Sequence, residues 1–309
     1  MAALALIVAG CSSSEDNLPV DLTDTPIKVN ASVDPLLTRA GYAADALPSK
    51  FYLTITSQNQ NYCYDVEMRS EIVDKATTWQ SYVKGTTDTK KLMLWADNNQ
   101  VAVKASTFEI SDNAVTLTAN PDQTVEDNLK KSDHLMWDNA EQAADPKGIN
   151  VEFSHIMAKL NINVKLGNQY NGAESPITGI TLGGTKTSAS FSRTAGWTVD
   201  ANAAADDVKA FDTKVFTAVD ASKDVKNATA KFEAILVPQT MDKGKFSVTI
   251  VINNGTEDKT YVWTSDKELK MDKGTCYDVN ITAGKDKVES VTFTQTAWTE
   301  EQEASLETE

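Results

Sequence analysis

Side chains able to do chemistry are sparse in this sequence, and their spacing excludes most of the familiar reactions. There are two histidines, His134 and His155, and three cysteines, Cys11, Cys63 and Cys276. A metal centre needs several such ligands at short intervals, whereas these lie far apart with no acidic cluster beside them. The histidines belong to no recognisable nucleophile motif, and there is no Gly-x-Ser-x-Gly turn. Gly183-Gly184-Thr185-Lys186-Thr187 has the residue types of a phosphate loop. It lacks the Gly-x-x-x-x-Gly-Lys-Thr spacing and a following helical pattern, so it reads as a hairpin turn. The expectation is a protein that is not an enzyme, with no catalytic residue, metal or cofactor. Cys63 and Cys276 each sit opposite the apolar phase of their strands, and they could pair only if the fold brings them within reach.

Cys11 is the exception, because its surroundings carry meaning. Leu4 to Ala9 is a short apolar run ending in Val8-Ala9-Gly10-Cys11, and Ser12-Ser13-Ser14-Glu15-Asp16 follows at once. Small residues before a cysteine suit a lipoprotein signal peptidase, and the thiol then takes the diacylglycerol. Residues 1–11 therefore read as a lipoprotein signal with Cys11 as the lipidation site. The run is too short to span a bilayer. No basic residue precedes it, which places the expected start upstream of Met1. The rest of the chain has 44 acidic against 29 basic residues, a net charge of −15. Such a surface repels phosphate backbones, so no nucleic-acid partner is expected, and it does not favour anionic lipid either.

The elements that must carry these residues are strands. Ile27, Val29, Ala31 and Val33 alternate with polar neighbours, as do Phe51, Leu53 and Ile55, then Tyr62, Tyr64, Val66 and Met68. A shorter strand is expected around Leu92, Leu94 and Ala96, with Met93 and Trp95 on its other face, and another at Val115 and Leu117. The longest alternation runs through Ile156, Ala158, Leu160, Ile162, Val164 and Leu166. Val151 and Phe153 are in the opposite phase, so a bulge or bend is expected near Ser154-His155. In the second half Ile180 and Leu182, then Phe232, Ala234 and Leu236, continue the theme. Phe246 to Ile252 leads through Asn253-Asn254-Gly255 to Tyr261 and Trp263, a hairpin signal. Tyr277, Val279 and Ile281 form the next strand, and Val291 and Phe293 the last. Gly167 to Pro176 is the expected domain seam, and residues 200–225 are the one stretch expected to be a surface helix or long loop. Thr299-Glu300-Glu301-Gln302 offers a capping box for a frayed acidic tail. The fold class is all-β, built of sandwiches.

Several segments together resemble the fimbrillin family, the subunits of type V pili of Bacteroides-like bacteria. They are the lipobox ending at Cys11, Thr38-Arg39-Ala40-Gly41-Tyr42, and Leu92-Met93-Leu94-Trp95-Ala96. Phe153-Ser154-His155-Ile156-Met157-Ala158-Lys159-Leu160, Leu236-Val237-Pro238-Gln239, Lys273-Gly274-Thr275-Cys276-Tyr277 and Trp298 complete the set. The resemblance implies two transthyretin-like β-sandwich domains in tandem, here 40–168 and 169–309, preceded by a leader at 12–39. It implies an outer-membrane lipoprotein precursor whose leader strand (Ile27, Val29, Ala31, Val33) is removed by an Arg-specific protease between Arg39 and Ala40. A strand from another fimbrial subunit would refill the vacated groove, and the mature protein would sit in a cell-surface fimbria serving adhesion to a host or bacterial surface ligand. The donor candidates are Val291, Phe293 and Ala297 in the terminal strand. Whether the subunit is stalk, tip or anchor stays open. A rival reading is a glycan-binding surface lipoprotein of a polysaccharide-uptake system, which would need a cluster of exposed aromatics among the six tryptophans.

Overall fold

The computed structural model describes residues 20–33, 47–58, 62–73, 76–167, 174–253, 255–284 and 287–297. Cys11, Arg39, Ala40, Trp298 and the capping box lie outside them. The first half contains β1 (Val29–Val33), β2 (Lys50–Ser57), β3 (Cys63–Val73), β4 (Ala76–Val83), β5 (Val101–Ser106) and β6 (Val115–Thr118). The helix α1 (Glu126–Ser132), β7 (Leu135–Gln142) and β8 (Ile149–His155) follow. Seven of these strands form one sheet in the order β1-β8-β7-β5-β2-β3-β4. Its apolar phases, including Phe51, Leu53, Ile55, Val66, Met68, Val103, Val151 and Phe153, meet in a single core. Phe51 anchors it, edge-on to Trp79 at 4.6 Å and to Phe153 at 5.2 Å.

The second half comprises β9 (Ala158–Leu166), β10 (Ile177–Thr185), β11 (Ser188–Ser192), β12 (Gly196–Thr198), β13 (Asp206–Lys209) and β14 (Phe211–Thr217). After these come β15 (Thr229–Leu236), β16 (Gln239–Met241), β17 (Ser247–Asn253), β18 (Asp258–Thr264), β19 (Leu269–Met271), β20 (Thr275–Ala283) and β21 (Val288–Ala297). A five-stranded sheet, β14-β15-β9-β20-β21, shares one core with a four-stranded sheet, β13-β10-β17-β18. This is a β-sandwich, in which Leu160, Ile162, Phe232 and Val279 from one layer meet Ile180, Leu182, Val248 and Ile250 from the other. The fold is all-β, and β17 pairs antiparallel with β18 from Ser247 opposite Thr264 to Asn253 opposite Asp258.

Several local expectations are corrected. The stretch Gly167–Pro176 joins two strands of one sandwich, because β9 is the middle strand of the five-stranded sheet and β10 belongs to its partner. The chain passes from the first sheet to the sandwich at Ile156–Met157 instead. That passage accounts for the phase reversal: Val151 and Phe153 face the first core, Leu160 and Ile162 the second. Residues 200–225 hold β13, β14 and a 3-10 turn at Ala221–Lys223 rather than a helix. Too few of their residues are buried for alternation to show. Lys90–Trp95 forms no extended strand, although Met93 and Trp95 are buried. Gly183 and Gly184 lie inside β10 at a bulge, not in a hairpin turn. Gly184 has φ +77°, and a Cβ there would strike the carbonyl of Lys245.

The two halves meet through β6, α1 and the β11–β12 hairpin. β6 pairs with β11, so one small sheet takes strands from both halves. Trp197 Nε1 donates to the Ile156 carbonyl at 3.0 Å, and His155 Nδ1 lies 2.7 Å from Asp133 Oδ1 in full burial. Cys276 is buried in the same region whereas Cys63 is exposed, and both are thiols, so no bridge joins them. Gln123 is fully buried and acts as a surrogate strand: its Oε1 accepts from the Ile235 N–H at 2.8 Å, and its Nε2 donates to the Ile235 carbonyl at 2.7 Å. Gln123→Ala would strand both backbone groups, an expected loss of about 2–4 kcal/mol in urea unfolding. A loss under about 1 kcal/mol would show that water replaces the amide without cost.

Candidate functional site

The seven-stranded sheet has two edge strands, β1 and β4, and among the described residues β1 makes the only parallel pairing in it. Its register runs from Val29 opposite Ile149 to Val33 opposite Phe153. Ile27, Val29 and Val33 are buried in the core, Val33 at 1 % exposure, and Ala31 packs against them half-buried. Asn30 and Ser32 face outward, where Asn30 Nδ2 donates to Asn150 Oδ1 at 2.9 Å. Gly148, at φ +98°, is what lets β8 approach so closely, because a Cβ there would meet the Lys28 carbonyl. Burying Ile27, Val29 and Val33 contributes roughly 1.5–3 kcal/mol each, and each ladder bond about 1 kcal/mol.

A second clasp holds the approach to β1. The Ile27 N–H donates to the Met93 carbonyl, the Trp95 N–H to the Thr25 carbonyl and the Asp24 N–H to the Trp95 carbonyl, all within 2.8–2.9 Å. Leu22, buried as well, donates its N–H to Asn98 Oδ1 at 2.7 Å. The same stretch reaches β4, since the Lys91 N–H donates to the Ser81 carbonyl at 2.8 Å. The sheet is thus drawn towards closure at one end by residues 89–95. Beyond it, β1 and β4 part around a groove of about 660 Å³ whose apolar lining includes Ala31, Leu47, Met68 and Trp79. Sequence alternation finds Ile27 to Val33 but misses Leu22 and Asn98, which have no periodic neighbours to signal them.

At the other end of the chain, β21 is also an edge strand, antiparallel to β20 with Val291 opposite Ile281 and Phe293 opposite Val279. Both are half-buried, and Phe293 packs edge-on to Phe246 at 5.7 Å and tilted to Trp263 at 6.0 Å. Gln295 follows on the same face, opposite Tyr277, and the Ala297 backbone pairs with Thr275. Thr292 and Thr294 point to solvent. The structure therefore places Val29, Ala31 and Val33 on β8, with Ile27 held by Met93, and the terminal residues on β20, in two different sheets. It does not bring the two sets into contact with each other.

Among the described residues no set of three or more His, Cys, Asp or Glu could hold a metal ion. Of the described tryptophans, Trp95 is 1 % exposed and Trp79, Trp137, Trp197 and Trp263 are half-buried. None of these five forms the open stacking platform that a glycan binder requires.

Comparison with known proteins then decides the family. The family model described as fimbrillin-like matches residues 43–298. The chain belongs to the fimbrillin-like family. No curated protein sequence matches it. Among solved structures it is similar to a candidate cell adhesion protein from Bacteroides uniformis, at 14 % identity and a TM-score of 0.60, covering 89 % of this chain and 98 % of that one. A candidate cell adhesion protein from Bacteroides ovatus is similar at 17 % identity and a TM-score of 0.60, covering 91 % and 100 %. At such identities the likeness is one of fold. The fimbrillin-like match starts beyond β1, so β1 is an addition to the matched region.

How firmly β1 is seated can be measured. Val33→Asp puts a carboxylate into the core and is expected to cost about 3 kcal/mol or more. Ser32→Asp, on the outward face, should change stability by under about 0.5 kcal/mol. Equal effects of the two in urea unfolding would mean that β1 is not seated in solution.

Proposed function

We propose that this fimbrillin-like chain is a structural subunit of a cell-surface fimbria, exported as a lipoprotein precursor and polymerised by strand exchange. Family membership supports the coarser part, a fimbrial or adhesion subunit at the cell surface with other fimbrial subunits as partners. The observation that carries the finer part is β1. It is a short edge strand, paired along β8 alone, whose apolar side chains plug the core of the sheet. In this reading Cys11 carries the lipid and residues 12–39 are the leader. An Arg-specific protease hydrolyses the Arg39–Ala40 bond, after which nothing covalent ties β1 or the lipid to the body.

Loss of β1 would bare the Ile149–Phe153 edge of β8 and the apolar residues that Val29 and Val33 cover. An unpaired apolar edge of this kind templates a new strand. The donor would be the Val288–Ala297 strand of another copy, with Val291, Phe293 and Ala297 as its plugs. β21 suits that part because it is itself an edge strand and its Val291 and Phe293 are only half-buried. Assembly by this route needs no catalytic group of the subunit's own, so the chain is read as a structural protein and not an enzyme.

The test uses purified precursor and an Arg-specific protease. The expected result is one early cut after Arg39, followed by ladders of multimers on a gel, with Arg39→Ala remaining uncut and monomeric. A second variant, Val291→Asp/Phe293→Asp, should be cut normally yet assemble poorly. Cleavage at Arg39 with no multimer formation in the unsubstituted chain would sink the exchange mechanism.

A further inference from the structure

The chain holds three arginines against twenty-six lysines. Arg39 precedes the family-matched region, which leaves Arg69 and Arg193 as the arginines of the described residues. Each is locked. Arg69 sits in the middle of β3, with Lys50 of β2 on one side and Gln80 of β4 on the other. Its guanidinium donates to Glu67 Oε1 at 2.7 Å, to the Thr86 carbonyl at 2.6 Å and to the Thr87 carbonyl, and lies over the Tyr82 ring at 4.3 Å. Its side chain is 27 % exposed.

Arg193 is the more telling case, because it occupies the turn between β11 and β12, a place where chains are ordinarily nicked. Its side chain is 9 % exposed. The guanidinium reaches back to the seven-stranded sheet, pairs with Asp138, and donates to Ser106 Oγ at 2.8 Å and the Ala105 carbonyl at 3.3 Å. It also lies 5.8 Å from the Phe108 ring centre. Lysines in other turns are treated differently: Lys147, Lys243, Lys245 and Lys273 are all exposed.

We propose that strand pairing, with the grip of Asp138, Ser106 and Glu67 on the guanidinium groups, withholds the body's two arginyl bonds from Arg-specific endopeptidases while the lysyl bonds of its exposed turns stay accessible. A trypsin-like specificity pocket must take the side chain before the peptide bond, on a segment drawn out of its sheet. For Arg69 that requires opening β3 from both neighbours, and for Arg193 it requires extracting a charged group from between two halves of the molecule. Neither opening is needed at an exposed turn lysine. The inference deepens the processing proposed above and rests on it for its biological sense: a subunit matured by an Arg-specific protease must survive that protease. The physical claim about Arg69 and Arg193 stands apart from Arg39.

The test is limited proteolysis of the full native chain with an Arg-specific and, separately, a Lys-specific endopeptidase, mapping new N-termini by mass spectrometry. Cleavage after Arg69 and Arg193 should be roughly 100-fold slower than lysyl cleavage in turns, as expected when a cleavage site must first open. Lys243→Arg, in the exposed turn before β17, should create a fast new cut with the Arg-specific enzyme. Early cutting of the unsubstituted body at Arg69 or Arg193 would overturn the inference, as would a Lys243→Arg chain that resists at residue 243. Resistance of the body with no cut at Arg39 either, while Lys243→Arg is cut, would uphold it and defeat the processing proposal instead.

Discussion

A strand at the edge of a sheet satisfies its backbone along one side and leaves a second row of N–H and C=O groups for whatever comes next. Both segments on which the proposed assembly depends are of this kind. Val29–Val33 lies against β8 alone and Val288–Ala297 against β20 alone, whereas β9, at the heart of the sandwich, is bonded along both sides. A strand on the same chain refills its slot at the high effective concentration that its tether provides. Cutting the tether removes that advantage, and the leader then depends on the buried Leu22, Ile27, Val29 and Val33, the ladder to β8 and the backbone clasp to Met93 and Trp95 to stay.

The second feature of the molecule is the way its halves are joined. The small β6-β11-β12 sheet draws strands from both, and the apolar clusters around Met157 and Phe191 fill the space beneath it. Polar side chains then satisfy backbone groups there: Gln123 serves Ile235, Trp197 serves Ile156, and Arg193 adds a donor to the Ala105 carbonyl within β5. Buried polar groups of this sort gain little net stability when satisfied and cost heavily when one partner is lost. They fix the relative placement of the sheets.

The same joint explains an unusual use of charge. Acidic residues outnumber basic ones and keep the surface anionic. Two cations are used inside: Lys159, 2 % exposed and paired with Glu233 at 3.4 Å, and Arg193, whose planar fork meets Asp138, Ser106 and Ala105 at once. The exposed turns carry lysine instead, at Lys147, Lys243, Lys245 and Lys273. Substituting one for the other would therefore alter packing at the joint and protease susceptibility at the turns.

The sequence by itself determined the class of the fold and most of its strands. Period-two alternation records which side chains face a core, and it identified Ile27 to Val33, Phe51 to Ile55, Leu160 to Leu166 and Phe246 to Ile252 directly. It also located the phase reversal near His155. Only the tertiary structure decided what that reversal means, namely that the chain leaves one sheet and enters the middle of another, because alternation reports a face and never a neighbour. For the same reason α1, β13, β14 and the clasp of Leu22, Met93, Trp95 and Asn98 were not legible: they are short, and contacts distant in sequence hold them. The parallel partnership of β1 with β8, on which the candidate assembly interface rests, joins residues about 120 positions apart, and no local pattern encodes it.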